Sequence, residues 1–137
     1  MLALQTALLG VSGVIAILFG FRYALAREFM PYHATVAGRS WAELEAGVQV
    51  IILGMFRIMG AGFFTYGLTL LWLLLPLRDG QQWAALAALT LTIASLVPVL
   101  YVTLWLRSVQ PAAKTPVAPA AIVLVLAVAG SLLSFVP

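Results

Sequence analysis

Residues 48–75 read VQVIILGMFRIMGAGFFTYGLTLLWLLL, and the fold class turns on them. Arg57 is their one charge, and from Gly60 to Leu75 there is none. A bilayer core is crossed by about 20 apolar helical residues, so this run exceeds what one span needs. Three more runs meet the same criterion. The first is Leu2 to Phe21, broken only by Gln5, Thr6 and Ser12; the others run from Trp83 to Leu106 and from about Pro119 to Val136. All are continuous and rich in Leu and Ala, without the alternation of a membrane β-strand. Pro76, Pro111, Pro116 and Pro119 fall in the gaps, where helices are expected to stop or start. The pattern predicts an all-α integral membrane protein with four transmembrane helices in a small bundle. A single domain, 1–137, has spans at about 2–21, 48–75, 83–106 and 119–136. The inner segment is 22–47, and a long second helix extends at the cytoplasmic side.

Composition agrees. Of 137 residues, 64% are hydrophobic and 8% charged, against about 25% charged in a soluble domain. That deficit excludes an ordinary soluble fold, a disordered chain and a nucleic-acid binder with a basic face. The absence of Cys excludes thiol chemistry and disulfides. A single His is too few for a histidine metal cluster, and no metal or cofactor is expected. The first run has no Lys or Arg before it and is longer than the 7–15 residue core of a leader. It is read as a span.

Orientation follows from the basic residues of the loops. Arg22, Arg27 and Arg39 lie between spans one and two, and Arg107 and Lys114 between spans three and four. The other side has Arg78 alone. The connecting segments are therefore expected in the cytoplasm and both termini in the periplasm, in a bacterial inner membrane.

In lipid, small residues and a few polar contacts bring helices together. Span one carries Thr6, Gly10, Gly13, Ala16, Gly20 and Ala24 on one face. Span two carries two rows, one of Gly47, Gly54 and Ala61, the other of Gly60 and Gly67. These two spans are expected to pack together. Span three has a stripe of Thr92, Ser95 and Thr103 with Pro98 inside it, which reads as interhelical packing or as a polar lining. Span four, with Gly130, Ser131 and Ser134, reads as a structural wall.

Counting about 20 residues inward from the outer turn places Arg22, Arg57 and Arg107 at one depth, the inner headgroup level. They are candidates for anion or lipid-headgroup binding. Glu28 is a candidate ion-pair partner for Arg57, since an Arg on the small-residue face must be paired or reach water. Ser40 to Glu43 forms a capping box, which predicts a helix from Trp41 that either runs straight into span two or bends at Gly47 or Gly54 along the interface. Its first turns, Val48 to Phe56, then need cover from the 23–39 segment, from lipid or from another subunit. His33 has no local partners for catalysis or ligation.

There is no phosphate loop, HExxH, intramembrane carboxylate pair or nucleophile elbow. Small multidrug transporters are similar in size but rely on a Glu in the first span, where this chain has no acidic residue. Dual-topology fluoride channels use a pore-helix Asn, and the chain has no Asn. Neither resemblance is carried over. The expectation is a non-enzymatic membrane protein surrounded by lipids, acting as a homo-oligomer or as a subunit of a larger assembly, with no nucleic-acid partner. The alternatives are a small oligomeric transporter or channel and, third, a binder of, or enzyme on, anionic lipid headgroups.

Overall fold

Leu and Ala are strong helix formers, and each apolar run folds as one helix in the computed structural model, which describes residues 1–136. The elements are α1 (Leu2–Ala24), the short α2 (Pro31–Ala37), α3 (Ala46–Arg78), α4 (Gln82–Val109) and α5 (Val117–Leu132). A 3-10 turn, Leu133–Phe135, continues α5, and no strand occurs among the described residues. The four long helices are apolar and long enough to cross a membrane.

Three boundaries differ from the sequence reading. The Ser40–Glu43 box forms, with the Glu43 carboxylate accepting from the Ser40 N–H at 2.6 Å and hydroxyl at 2.9 Å. It opens only a 3-10 turn, Trp41–Glu43, and extended backbone at Leu44 separates that turn from α3. The long helix therefore starts at Ala46 rather than Trp41. The Gln49 amide bridges the break by donating to the Trp41 and Leu44 carbonyls. At its other end α3 passes Pro76 and stops at Arg78, forgoing one ladder bond near the terminus. Gly80, at φ +74°, then turns the chain into α4. Pro119 is the third residue of α5, where its missing N–H would have had no partner.

α1 meets α3 along the most extensive interface and also meets α5, while α4 meets α3 and α5. The α1–α3 contact is made backbone to backbone. A Cβ on Gly20 would lie 2.9 Å from the Gly60 carbonyl oxygen, and one on Gly60 only 2.7 Å from that of Gly20. Gly13 and Gly67 oppose each other one heptad away, where a Gly13 Cβ would sit 3.0 Å from the Gly67 carbonyl. The row of Gly60 and Gly67 thus makes the contact, whereas Gly47 and Gly54 face open space. Gly10 is looser, with Leu74 at 3.9 Å from its added Cβ. α5 is more than a wall, because Gly130 lies where a Cβ would be 2.8 Å from the Leu9 side chain.

The core of the half bearing the two termini is packed, with a polar surface recess of about 290 Å³ at its outer end between Gln5, Leu77, Arg78 and Ser134. Leu9, Leu70, Ala84, Ala85, Ala88 and Ala127 are fully buried there. Cross-helix polar contacts join its walls: the Gln5 amide donates to the Ser134 hydroxyl, and the Ser12 hydroxyl donates to the Val123 carbonyl at 3.2 Å. The Tyr66 and Thr92 hydroxyls share a bond of 3.1 Å. The other half, which carries α2, is built differently.

Candidate functional site

At the α2 end the four long helices do not close. A cavity of about 270 Å³ lies between Ala16 and Phe19 of α1, Met59 and Phe63 of α3, Leu96 to Leu106 of α4 and Pro119 to Val123 of α5. Prolines on two helices contribute to the space. Pro98 lines it from within α4, and Pro116 and Pro119 line it at the start of α5, so a short pyrrolidine ring stands where a longer side chain would reach inward. Its walls are apolar apart from Tyr23, Tyr32, His33 and Thr103. The floor is the buried layer of Ser12, Tyr66 and Thr92 beneath Ala16, Leu96 and Val123.

α2 lies over the open end and contributes Tyr32 and His33 to the lining. Pro31 opens the helix with φ suited to its first turn, and Gly38, at φ +64°, ends it in the left-handed region. No α2 residue is fully buried. The helix is held by side chains reaching down: the Tyr32 hydroxyl shares a 2.8 Å bond with that of Tyr23, and the His33 ring sits 5.3 Å from the Phe56 ring. Phe29, Met30, Phe56 and Tyr23 form a separate aromatic cluster beneath it, to which Trp41, Leu44 and Ile52 add. One flank of the Val48–Phe56 stretch is thereby covered. Val50, Ile51, Met55 and Ile58 stay exposed.

His33 is a local structural residue with a defined tautomer. Its Nδ1 accepts the Met30 N–H at 3.1 Å, from third helical position to cap. With Nδ1 accepting, Nε2 carries the proton in the neutral ring. Burial pushes the imidazole pKa down from 6.5 to about 4. Burial, and then the Tyr23 hydroxyl, hold the Tyr32 phenol above its ordinary value, so it stays neutral. Hydrogen bonds from the Ser40 backbone and hydroxyl keep the Glu43 carboxyl below the usual range.

The three arginines share this end but not a task. Arg57 donates to the Ala26 carbonyl at 2.8 Å, just past the end of α1, and lies 3.5 Å from that of Tyr23 in its last turn. A cation is favourable at a helix C-terminus. These carbonyls, rather than the exposed Glu28, are its partners, because the chain turns after Ala24 and brings Ala26 within reach first. Arg107 is exposed near the end of α4 and lines no cavity described here. Arg22 lines a second cavity of about 440 Å³, together with Lys114, Thr35 and Ala112. This space shares Phe19, Tyr23, Tyr32 and Pro116 with the apolar cavity. Between Lys114 and Pro116, the buried Thr115 hydroxyl has no hydrogen-bond partner.

The span-three stripe divides between roles. Thr92 is spent on Tyr66, Thr103 back-bonds to the Leu100 carbonyl at 2.9 Å while lining the cavity, and Ser95 is half-buried. Sequence reasoning singled out neither Tyr23 nor Tyr32. Their signal was available: two Tyr flanking a proline-started polar segment directly after a span. Comparison with family models, curated proteins and solved structures finds no match for the chain.

Proposed function

We propose that the chain is a four-span integral membrane protein that holds an apolar chain, such as a lipid tail, in the α2-end cavity without transforming it. Membrane insertion is supported by large apolar side chains exposed on all four long helices, among them Leu18, Ile58, Trp72, Trp83, Tyr101 and Val125. A soluble monomer rarely carries apolar patches above a few hundred Å². Five loop cations on the α2 side against one on the other orient that side to the cytoplasm and both termini to the periplasm of a bacterial inner membrane.

The single observation that carries the binding role is the cavity itself. An apolar cavity of about 150 Å³ already stays dry and accepts benzene, and this one is about 270 Å³. A space of this kind inside a bilayer is filled by hydrocarbon more readily than by water. The lightly held α2, closed at one end by Gly38, gives the entrance a cover of low local stability. The polar groups at the site are two phenols, a threonine engaged with its own helix and an imidazole engaged with backbone, which suits binding rather than bond-breaking.

A crosslinking chain tests this. An alkyl diazirine carried on a lipid tail, photolysed with the protein in nanodiscs, is expected to label Val99 or Ala120, which line the cavity. Labelling confined to the outward-facing Val97, Ile122 and Val125 would contradict the reading.

A second reading has its own observation. Gly47 and Gly54 face open space beside exposed Val50, Ile51 and Met55. That face supports a homo-oligomer, or docking to a partner membrane subunit, through the cytoplasmic half of α3. Molecular mass in nanodiscs tests it, and a strict monomer there would contradict it.

A further inference from the structure

We propose that the ligand is a single-chain anionic amphiphile, its tail in the apolar cavity and its phosphate or carboxylate head between Arg22 and Lys114. The proposal rests on the binding reading above and adds the chemistry of the head. Two spaces of opposite character adjoin. The deeper one, about 270 Å³, is apolar. The outer one, about 440 Å³, is lined by the two cations and by Thr35, with no carboxylate among its lining residues. Phe19, Tyr23, Tyr32 and Pro116 belong to both linings, so they form the neck between the two.

The order of chemistry along this path is apolar, then phenolic, then cationic, which is the order of an amphiphile. Amphipathic Tyr rings suit the junction, since each has an apolar body and a polar tip. Both cations have alkyl stems that let their heads reach the mouth, and the guanidinium offers a fork matched to phosphate or carboxylate oxygens. The positive end of the α5 dipole adjoins the same mouth, because α5 starts directly after Pro116. A neutral head would gain hydrogen bonds here without the charge attraction, and a cationic head would be repelled.

Native mass spectrometry of the full chain in neutral maltoside micelles tests the proposal, with dodecyl phosphate, dodecanol and inorganic phosphate as probes. Dodecyl phosphate is expected to bind about 25-fold more tightly than dodecanol, from two cations near an interface at about fivefold each. The double variant Arg22→Gln, Lys114→Gln should bring the two to within about twofold, while Arg78→Gln at the opposite end leaves the preference intact. Ala120→Phe, with Val99→Phe as a second cavity-filling variant, should abolish binding of both chains at unchanged helicity. Equal binding of both chains, blocked by the filling variants, would overturn the headgroup assignment and leave the cavity reading standing. No binding of either chain would overturn the cavity reading and this proposal together. Inorganic phosphate binding as tightly as dodecyl phosphate would reduce the mouth to a free-anion site and overturn the amphiphile.

Discussion

Gly60→Ala is the sharpest perturbation of the α1–α3 contact. An added Cβ would lie 2.5 Å from the Ala24 nitrogen, 2.7 Å from the Gly20 oxygen and 2.9 Å from the Ala24 Cα, all backbone atoms. No rotamer relieves backbone, so the helices must separate by about 1 Å to restore ordinary contact. Overpacking of this kind costs roughly 1–3 kcal/mol. Removing glycine from a helix interior returns up to about 1 kcal/mol, which leaves a net loss of about 0–2 kcal/mol at full return. Gly54→Ala is the control: it has the same propensity gain and nothing within 4 Å of the new carbon, so it should be neutral or stabilising by up to about 1 kcal/mol. Unfolding in mixed micelles, followed by circular dichroism, measures both. The propensity gain is common to both, so the two variants should differ by the overpacking cost, about 1–3 kcal/mol. Equal stability would refute the backbone-to-backbone contact, and with it the placement of α1 against the Gly60–Gly67 row.

Other outcomes follow from the α2 end. Arg57→Met should cost about 1 kcal/mol through the lost carbonyl contacts, while Glu28→Gln changes nothing in the same assay; a strong effect of the latter would restore the ion pair. His33 has a folded pKa near 4 against 6.5 unfolded, so the unfolded chain binds more protons between those values, and stability falls as pH drops from about 6.5 to 4. The shift is discounted by half for a partly exposed ring, which leaves about 1.5 kcal/mol, read as lower hydrogen-exchange protection factors, corrected for the intrinsic pH dependence, in residues 32–37 and absent in His33→Gln. Tyr66→Phe should lower stability by about 1 kcal/mol without changing uptake of a chain into the cavity, because Tyr66 belongs to the floor rather than the lining.

What could be read from sequence divides along physical lines. The helices were legible because length and apolarity alone define a candidate span, and the α1–α3 contact because small residues recurring on facing helices let two backbones approach closely. Which of two rows on α3 made the contact was not legible, since seven-residue spacing is shared by both. The start of α3 was misjudged because a capping box specifies one turn and says nothing of whether the turn continues; the extended Leu44 ended it. Arg57 had a carbonyl partner that depends on how the chain bends after Ala24, which no residue pattern encodes. The cavity was invisible for the same reason: Pro98 and Pro119 are 21 positions apart in sequence, and only the packing of α4 against α5 brings both to one space.

The central claim is a pocket open toward α2 and closed toward the termini. The chain lacks Cys, so single-cysteine variants at Thr35, in the polar mouth, and at Thr92, in the floor, can be labelled with a small water-soluble maleimide from either side of oriented membrane vesicles. Thr35→Cys should react from the α2 side alone, and Thr92→Cys from neither side. Labelling of Thr92→Cys from the side of the termini would reveal an aqueous path through the floor and make the protein a channel or transporter rather than a binder.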